Sequence, residues 1–327
     1  MREASAAPPD AAATWSPPGP IDVPLTLSLL QHGPGDPCQR HEANGTVWRT
    51  LRTPHGPATL RIRRAGSADA ATARSSDAVS GIGEVEAQAW GPGAPDALAD
   101  LPALLGAYDH PETFEPRHRI LRDAHRRHAG LRIPRTGRVL ESLIPAVLEQ
   151  KVLGVDAAAA WRRLVTRYGE LAPGPTPAGL RVAPSAQTWR EIPNWEWHKA
   201  GVERRRAEVA GRCAREAGAL ERAAAENDPA AVYRRLLSIP GVGRWTAAQV
   251  GQRALGDADA LPVGDYHLAA MTGWSLAGRT LAADEVEEFY EPWRPHRFRV
   301  VLLLKLTPGT LPPRRGPRLD RQQLHRL

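Results

Sequence analysis

The sequence has very few of the residues that would hold a metal cluster or a disulfide framework. Only two cysteines, Cys38 and Cys213, occur in 327 residues, and they form no Cys-x-x-Cys pair. This spacing excludes an iron–sulfur cluster and a structural zinc site, and it fits a reducing cytoplasm. The N-terminus has no apolar signal core, and the apolar run at residues 300–304 is too short to span a bilayer. We therefore expect a soluble cytoplasmic protein that needs no cofactor.

Lysine is also scarce, because only Lys151, Lys199 and Lys305 occur among 43 basic residues. Arginine therefore supplies nearly all of the positive charge, and the formal net charge is +7. A basic balance suits a polyanionic partner. A composition rich in alanine, arginine, glycine and proline also arises without selection for such a partner, so the charge permits this interpretation without indicating it.

Composition divides the chain into four parts and predicts an α+β fold class. Residues 1–20 are rich in alanine and proline and are expected to be disordered. Residues 21–110 carry short strand-like pieces and are expected to form a small antiparallel α/β domain. Residues 111–306 follow a helical pattern, and residues 307–327 form a basic, proline-rich tail that is expected to be flexible.

Within the first domain, four short segments have strand character and one has loop character. The predicted strands are residues 23–30, 46–53, 58–64 and 85–90. A likely turn for a hairpin lies at residues 54–57, where proline and glycine occur together. Alternation places Leu60 and Ile62 on one face of the third strand, which predicts that this face is buried. The polar residues 66–80 are predicted to be a loop.

The most informative stretch is residues 236–268. A helical run there meets a turn that reads Ile239, Pro240, Gly241, Val242 and Gly243. Pro240 cannot continue a helix, and we expect the two glycines to supply backbone angles that a Cβ would penalise. A second helix is predicted at residues 245–255. Bare amide groups at a helix N-terminus can receive a phosphate, because the helix dipole favours an anion there.

The amino-acid sequence of this stretch resembles a motif of a known superfamily. It reads IPGVGRWTA and then PVGDYHL, and it is similar to the helix-hairpin-helix base-excision DNA glycosylases, especially the bacterial 3-methyladenine-DNA glycosylase II class. The resemblance covers roughly residues 85–305. It implies a small antiparallel domain followed by an all-helical glycosylase core. It also implies a monomer that acts on damaged double-stranded DNA and hydrolyses the N-glycosidic bond of alkylated purines.

By resemblance, Asp265 occupies the position of the catalytic aspartate. Positive charge builds up on the deoxyribose as the base departs, and a carboxylate can stabilise it and orient a water molecule. The alternative is a helix N-cap, which is a common role for aspartate and worth about 1 kcal/mol without any chemistry. Relatives often carry a second acidic residue just before this position, where this chain has Gly264.

Three further residues are assigned to the substrate pocket by resemblance. Relatives that also cleave the DNA backbone carry a nucleophilic lysine where this chain has Trp245, so a monofunctional enzyme is implied. Trp245 is expected to stack on an electron-poor base, or else to be a buried core indole. Gln249 and Leu302 take the places of pocket residues that are expected to be aromatic.

The resemblance also assigns DNA contacts and an ion. The expected DNA contacts are Pro240, Gly241, Val242, Gly243, Arg244, Gln150 and Lys151. Lys151 follows Gln150 near the end of a helix predicted at residues 138–152, where relatives carry an apolar wedge that fills the gap left by a flipped nucleotide. A solvated loop lysine is the alternative. The backbone carbonyls of Leu237, Ile239 and Val242 would hold a Na⁺ or K⁺ ion.

A second function remains open at this point, namely a helix-hairpin-helix module that binds DNA, or damaged DNA, without cutting it. The residue that separates the two functions is Asp265. A binding module has no use for a carboxylate that faces the phosphate backbone, whereas hydrolysis requires one.

Overall fold

The computed structural model describes residues 7–66 and 83–313, which form an antiparallel sheet followed by a helical core. The strands of the sheet are β1 Ala11–Trp15, β2 Gln39–His41, β3 Val47–Thr53, β4 Gly56–Arg64 and β5 Val85–Trp90. Their order is β1-β5-β4-β3-β2, with every neighbouring pair antiparallel. A second, two-stranded sheet pairs β6 Glu170–Leu171 with β7 Arg181–Val182. The α+β fold class is confirmed.

The helices lie mostly after the sheet. They are α1 Val23–Ser28, α2 Ala94–Ala99, α3 Leu101–Leu104, α4 Arg119–Arg127, α5 Val139–Leu148, α6 Gly154–Tyr168, α7 Ala186–Glu191, α8 Asn194–Lys199, α9 Arg204–Ala225, α10 Pro229–Ser238, α11 Arg244–Val250, α12 Leu268–Thr272, α13 Val286–Tyr290 and α14 Arg297–Lys305. Wider π-helical turns, Gly251–Leu255 and Gly273–Ala277, extend α11 and α12. Short 3₁₀ turns occur at Pro111–Thr113 and Glu291–Trp293. Across the described ranges, no helix combines the length and the apolar character that a membrane span requires.

The hairpin of β3 and β4 forms as the sequence predicts. Thr53 pairs with Gly56, so the turn itself contains two residues and is tighter than the predicted turn at residues 54–57. Leu60 and Ile62 are fully buried, as the alternation predicts, because that face of the sheet packs on α1 and α2. The strand predicted at residues 85–90 is also present as β5.

Two secondary-structure predictions for the N-terminal thirty residues are wrong. Residues 23–30 were expected to be a strand, but most of them form α1. The side chain of Asp22 accepts a hydrogen bond from the Leu25 amide at 2.9 Å, and Pro24 lies in the first turn, where its missing N–H is tolerated. Residues 11–15 were expected to be disordered, but they form β1 because they pair with β5.

Several predicted segments cannot be compared with the structure. The first six residues, most of the loop predicted at residues 66–80, and residues 314–327 of the predicted tail lie outside the described residues. The boundary between the two predicted domains, near residue 110, stays a prediction.

Buried polar contacts join the sheet to the helical core. Arg49 of β3 forms a largely buried ion pair with Glu141 of α5. The indole Nε1 of Trp161 donates a hydrogen bond to Asp36 Oδ1 at 2.9 Å, and both side chains are buried. Cys38, which precedes β2, packs in the largest cluster of the helical core. Buried contacts therefore link the sheet to the helical core.

Candidate active site

The turn between α10 and α11 is a tight hairpin that depends on one glycine. Gly241 has φ of +98°, and a Cβ there would lie 2.4 Å from Cγ2 of Val209. Both the backbone angle and the space therefore require glycine. Gly243 has φ of −105° and ψ of −177°, which is ordinary extended backbone, and a Cβ there would meet nothing within 4 Å. The prediction that both glycines supply special angles is wrong for Gly243.

The carbonyl groups of the hairpin are held by side chains from outside it. Nε of Arg212 donates to the carbonyl of Pro240 at 3.0 Å. Nε2 of Gln150 donates to the carbonyl of Gly241 at 3.0 Å and to Oγ1 of Thr246 at 2.9 Å. These contacts fix the hairpin and tie the loop after α5 to it, so the structure brings two predicted DNA-binding segments together.

The amide groups of the hairpin are in a different situation. Gly241 and Gly243 are both exposed, and neither amide donates a hydrogen bond to any residue in the described part of the chain. The neighbouring Arg244 is exposed and forms an ion pair with Glu287. The turn thus presents unpaired N–H groups beside an arginine, which is suitable for an anion such as a phosphate.

Asp265 lies in the loop before α12 and is partly exposed. Its Oδ1 accepts a hydrogen bond from the amide of His267 at 2.9 Å, and its Oδ2 accepts one from Nε1 of Trp245 at 3.3 Å. The N-cap residue of α12 is His267, but a bond from the amide two residues on is also what an N-cap aspartate accepts, so the N-cap alternative stays open. The two donors orient the carboxylate while each oxygen keeps a second lone pair.

Trp245 and Gln249 lie on the same helix face as Arg253, because the three residues follow one another at intervals of four. Trp245 is partly buried, so it is not the fully buried core indole of the alternative interpretation. Gln249 is 5% exposed, and its Oε1 accepts a hydrogen bond from Nη1 of Arg253 at 2.6 Å. An amide held by a guanidinium thus occupies the position where an aromatic residue was expected.

Leu302 is as buried as Gln249, and its assignment to the pocket stays a prediction. It is 4% exposed and packs in the core cluster that also contains Leu261 and Leu268, on either side of the Asp265 loop. The exposed residue at this end of α14 is Lys305, one turn further along.

Lys305 is a charged residue that the sequence analysis did not single out for the candidate site. The side chain reaches solvent, yet the protein around it lowers its pKa through desolvation. Asp265 and Glu149 act in the opposite direction and raise the pKa, and the positive charge of Arg253 lowers it further. Lys305 therefore lies within electrostatic range of the carboxylate that the sequence identified. Its signal in the sequence was its rarity, as one of three lysines in a chain rich in arginine.

The loop between α5 and α6 carries the predicted wedge. Helix α5 ends at Leu148, earlier than predicted, so Gln150 and Lys151 lie in the loop. Lys151 is exposed and has φ of +54°, a left-handed backbone conformation that is uncommon for lysine. The side chain is therefore presented by a sharply turned backbone next to the hairpin, and its role as a wedge stays a prediction.

The hairpin carbonyls have the right chemistry for a monovalent cation. The carbonyl of Ile239 accepts the amide of Val242 at 2.9 Å and retains a second lone pair. The carbonyls of Leu237, Ile239 and Val242 together offer neutral oxygen ligands, which suit a hard monovalent cation such as Na⁺ or K⁺. Among the residues that the structure describes, no group of histidine, cysteine or acidic side chains could hold a metal ion.

Comparison with known proteins gives relatives in sequence and in structure. No family model matches the chain. Two proteins from strains of Mycobacterium tuberculosis, each described as a probable bifunctional transcriptional activator/DNA repair enzyme AlkA, are 32% identical over 170 residues. The match covers 51% of this chain and 34% of each relative. The chain thus spans about a third of the length of the curated relatives it matches.

The structural matches cover most of the chain. A 3-methyladenine DNA glycosylase from Archaeoglobus fulgidus superposes with a TM-score of 0.70 at 18% identity, covering 89% of this chain and 96% of that one. An 8-oxoguanine glycosylase/lyase from Clostridium acetobutylicum, in complex with double-stranded DNA, superposes with a TM-score of 0.62 at 11% identity, covering 91% and 97%. The chain therefore has the fold of the helix-hairpin-helix base-excision DNA glycosylases and resembles AlkA in sequence.

Proposed function

We propose that this protein is a DNA glycosylase of base excision repair, which hydrolyses the N-glycosidic bond of alkylated purines in duplex DNA. The observation that carries the proposal is the carboxylate of Asp265. This carboxylate is partly exposed, and each of its oxygens accepts a hydrogen bond that orients it. One of the two donors, Trp245, lies in the first turn of α11, next to the hairpin with the unpaired amides.

The chemistry follows from this placement. When the bond from C1′ to the base breaks, the electron pair leaves with the base and positive charge remains on the sugar. A carboxylate that is already oriented stabilises that charge without reorganising. The free lone pairs of Asp265 also accept a proton from the water molecule that attacks C1′, so the sugar receives a hydroxyl group.

DNA binding is assigned to the hairpin and the loop beside it. The unpaired amides of Gly241 and Gly243 would receive a backbone phosphate, with Pro240 and Val242 completing the turn. Arg244 would add positive charge, since its exposed ion pair with Glu287 is worth little and can be exchanged for a phosphate. The alkyl stem of Lys151 would enter the gap left by the flipped nucleotide, while Gln150 holds this loop against the hairpin.

The enzyme is proposed to be monofunctional, because Trp245 has no amine to form a Schiff base with the sugar. The product would be an intact strand with an abasic site. Reaction with damaged duplex DNA in the presence of sodium cyanoborohydride should therefore yield no covalent protein–DNA adduct. A trapped adduct would show that an amine of the protein reacts with the sugar, and it would remove the monofunctional assignment.

The remaining parts of the proposal concern the setting of the enzyme. We place it in the cytoplasm as a monomer bound to damaged double-stranded DNA. A Na⁺ or K⁺ ion at the carbonyls of Leu237, Ile239 and Val242 would stiffen the hairpin and add positive charge near a phosphate. The ion takes no part in bond cleavage.

The proposal is tested with Asp265→Asn on methylated duplex DNA, with the released bases separated and identified. Base release should fall by at least about 100-fold, whereas DNA binding should stay the same or tighten because a negative charge near phosphates is removed. Asp284→Asn, which removes an exposed carboxylate elsewhere, is the matched control and should remain active. Unchanged release by Asp265→Asn would eliminate the mechanism, and a wild-type protein that binds without releasing any base would favour the non-catalytic module.

A further inference from the structure

An open groove lies between the C-terminal half of α6 and the end of α8. It encloses about 770 Å³, which is the size of a small-ligand or short-peptide site. Its lining includes one carboxylate, Glu196, and four cations, Arg162, Arg163, Arg167 and Lys199. This α6–α8 groove therefore carries an excess of three positive charges.

The carboxylate in the groove is already paired. Glu196 is 5% exposed, and its Oε2 lies 2.9 Å from Nε of Arg167. Its Oε1 lies 3.9 Å from Nζ of Lys199, a separation too long for a hydrogen bond. Glu196 thus neutralises Arg167 in large part, and the ammonium group of Lys199 keeps its donors for another acceptor.

The other two cations are held in place by the backbone. Nη1 of Arg162 donates to the carbonyl of Pro34 at 2.8 Å, and Nη1 of Arg163 donates to the carbonyl of Ala200 at 3.2 Å. Both side chains are exposed, and these are their only hydrogen bonds within the described residues. A guanidinium has five N–H donors, so each can still bind a carboxylate or a phosphate.

The rest of the groove favours a peptide over a nucleic acid strand. Leu164 and Ala200 also line it and are buried, so its floor is apolar. Two aromatic rings lie beside it, and each has a cation over one face: Arg167 over Tyr168 at 5.7 Å and Lys199 over Trp195 at 4.4 Å. Proteins that bind single-stranded nucleic acid stack successive bases on open aromatic faces. Here the cations already occupy one face of each ring.

The groove is separated from the proposed DNA contacts by the length of a helix. Helix α6 begins at Gly154, directly after the loop with Lys151, whereas the groove residues of this helix start at Arg162. At 1.5 Å per residue, about 12 to 20 Å of helix lies between the loop and the groove. A ligand in the groove would therefore leave the hairpin and its neighbouring loop free.

We propose that the α6–α8 groove docks an acidic peptide segment of a partner protein. The carboxylates of the peptide bind Arg162, Arg163 and Lys199, and an adjoining apolar side chain packs on the floor at Leu164. This inference goes beyond the proposed glycosylase function, because the protein would hold a partner and damaged DNA at the same time.

The test uses the full-length protein and a fluorescein-labelled peptide of four glutamates followed by a leucine, with fluorescence anisotropy at physiological salt. The peptide should bind. Replacing its glutamates by glutamines, or its leucine by serine, should weaken binding about tenfold or more. Arg163→Gln combined with Lys199→Gln should also weaken binding by at least about tenfold, because two charge-assisted hydrogen bonds are removed.

The matched control is Arg215→Gln combined with Arg222→Gln, which removes two exposed arginines of α9 that do not line the groove. It should change the affinity for the peptide by less than about twofold. A saturating duplex with an abasic-site analogue should leave the affinity for the peptide unchanged, since the two ligands occupy different surfaces.

Four results would overturn the inference: no binding of the peptide, equal losses in the two double variants, displacement of the peptide by the duplex, or tighter binding of a labelled oligothymidylate than of the peptide at the groove. Displacement by the duplex would place the peptide on the DNA-binding surface, and the oligothymidylate result would assign the groove to nucleic acid. Base release is not measured here, so the glycosylase proposal stands or falls separately, with Asp265→Asn.

Discussion

The hairpin with Asp265 and the exposed end of α14 are built differently. On the hairpin side, the protein has already supplied partners: Gln150 holds the carbonyl of Gly241, and Trp245 holds the carboxylate of Asp265. On the side of α14, Lys305 has no partner in the described structure. The amides of Gly241 and Gly243 are also unpaired within the described residues, so both regions leave hydrogen-bond donors for a ligand. The difference is that the acceptors of the hairpin side, including both oxygens of Asp265, already have donors.

The largest effect on stability is expected at the hairpin glycine. Gly241→Ala places a methyl group 2.4 Å from Val209 at a φ of +98°, so both steric overlap and backbone strain oppose folding. We expect a loss of about 3 kcal/mol in the free energy of unfolding, measured with urea. Gly243→Ala is the matched control, with extended backbone and open space, and should change stability by less than about 0.5 kcal/mol. Equal losses in the two variants would contradict the structural distinction between them.

A smaller effect is expected for the donor on Asp265. Trp245→Phe keeps an aromatic ring but removes the Nε1 donor that orients the carboxylate at 3.3 Å. Base release should fall about tenfold, which is the loss expected for one long hydrogen bond to a charged group. Trp274→Phe is the control, since it removes an indole donor that bonds only the carbonyl of Gly309. If both variants lose the same activity, the bond from Trp245 to Asp265 has no special role.

The smallest effect is expected on the stability contributed by Lys305. Desolvation lowers its pKa below the ordinary value of 10.5, so the folded state holds fewer protons than the unfolded state between the two pKa values. Stability should therefore rise with pH through that window. Lys305→Met should raise Tm by roughly 2 °C at pH 7, because it removes a charge that desolvation penalises in the folded state. Solvent screening keeps this increase in Tm small. The difference in Tm between Lys305→Met and the wild type should become smaller toward pH 10. A Tm difference that grew with pH would contradict the lowered pKa of Lys305.

Features that depend on neighbours in sequence were predictable. The turn of the β3–β4 hairpin and the Gly241 corner follow from short patterns whose physical meaning is local. The choice of Asp265 rested on the resemblance to a known superfamily. Strand β1 was missed because its partner, β5, lies about seventy residues away along the chain. An alanine-rich segment has no sequence signal that predicts this pairing. Helix α1 was misread because its apolar residues alternate, although Asp22 and Pro24 carried a helix-start signal.

The rotation of α14 could not be predicted from the sequence for a different reason. Every residue of α14 from Arg297 to Leu304 is buried, so the helix has no polar face that would set its rotation. An apolar run of this kind predicts that the helix is buried, but it does not indicate which of its residues reaches solvent. Only the packing of α14 against the segment before α12 shows that Lys305 is the residue that reaches solvent there.

The buried links between the sheet and the helices have a mechanical consequence. Arg49 and Glu141, together with Trp161 and Asp36, form contacts that would have to break before the two parts could separate. We therefore expect the sheet and the helical core to keep their relative placement when a ligand binds at the candidate site.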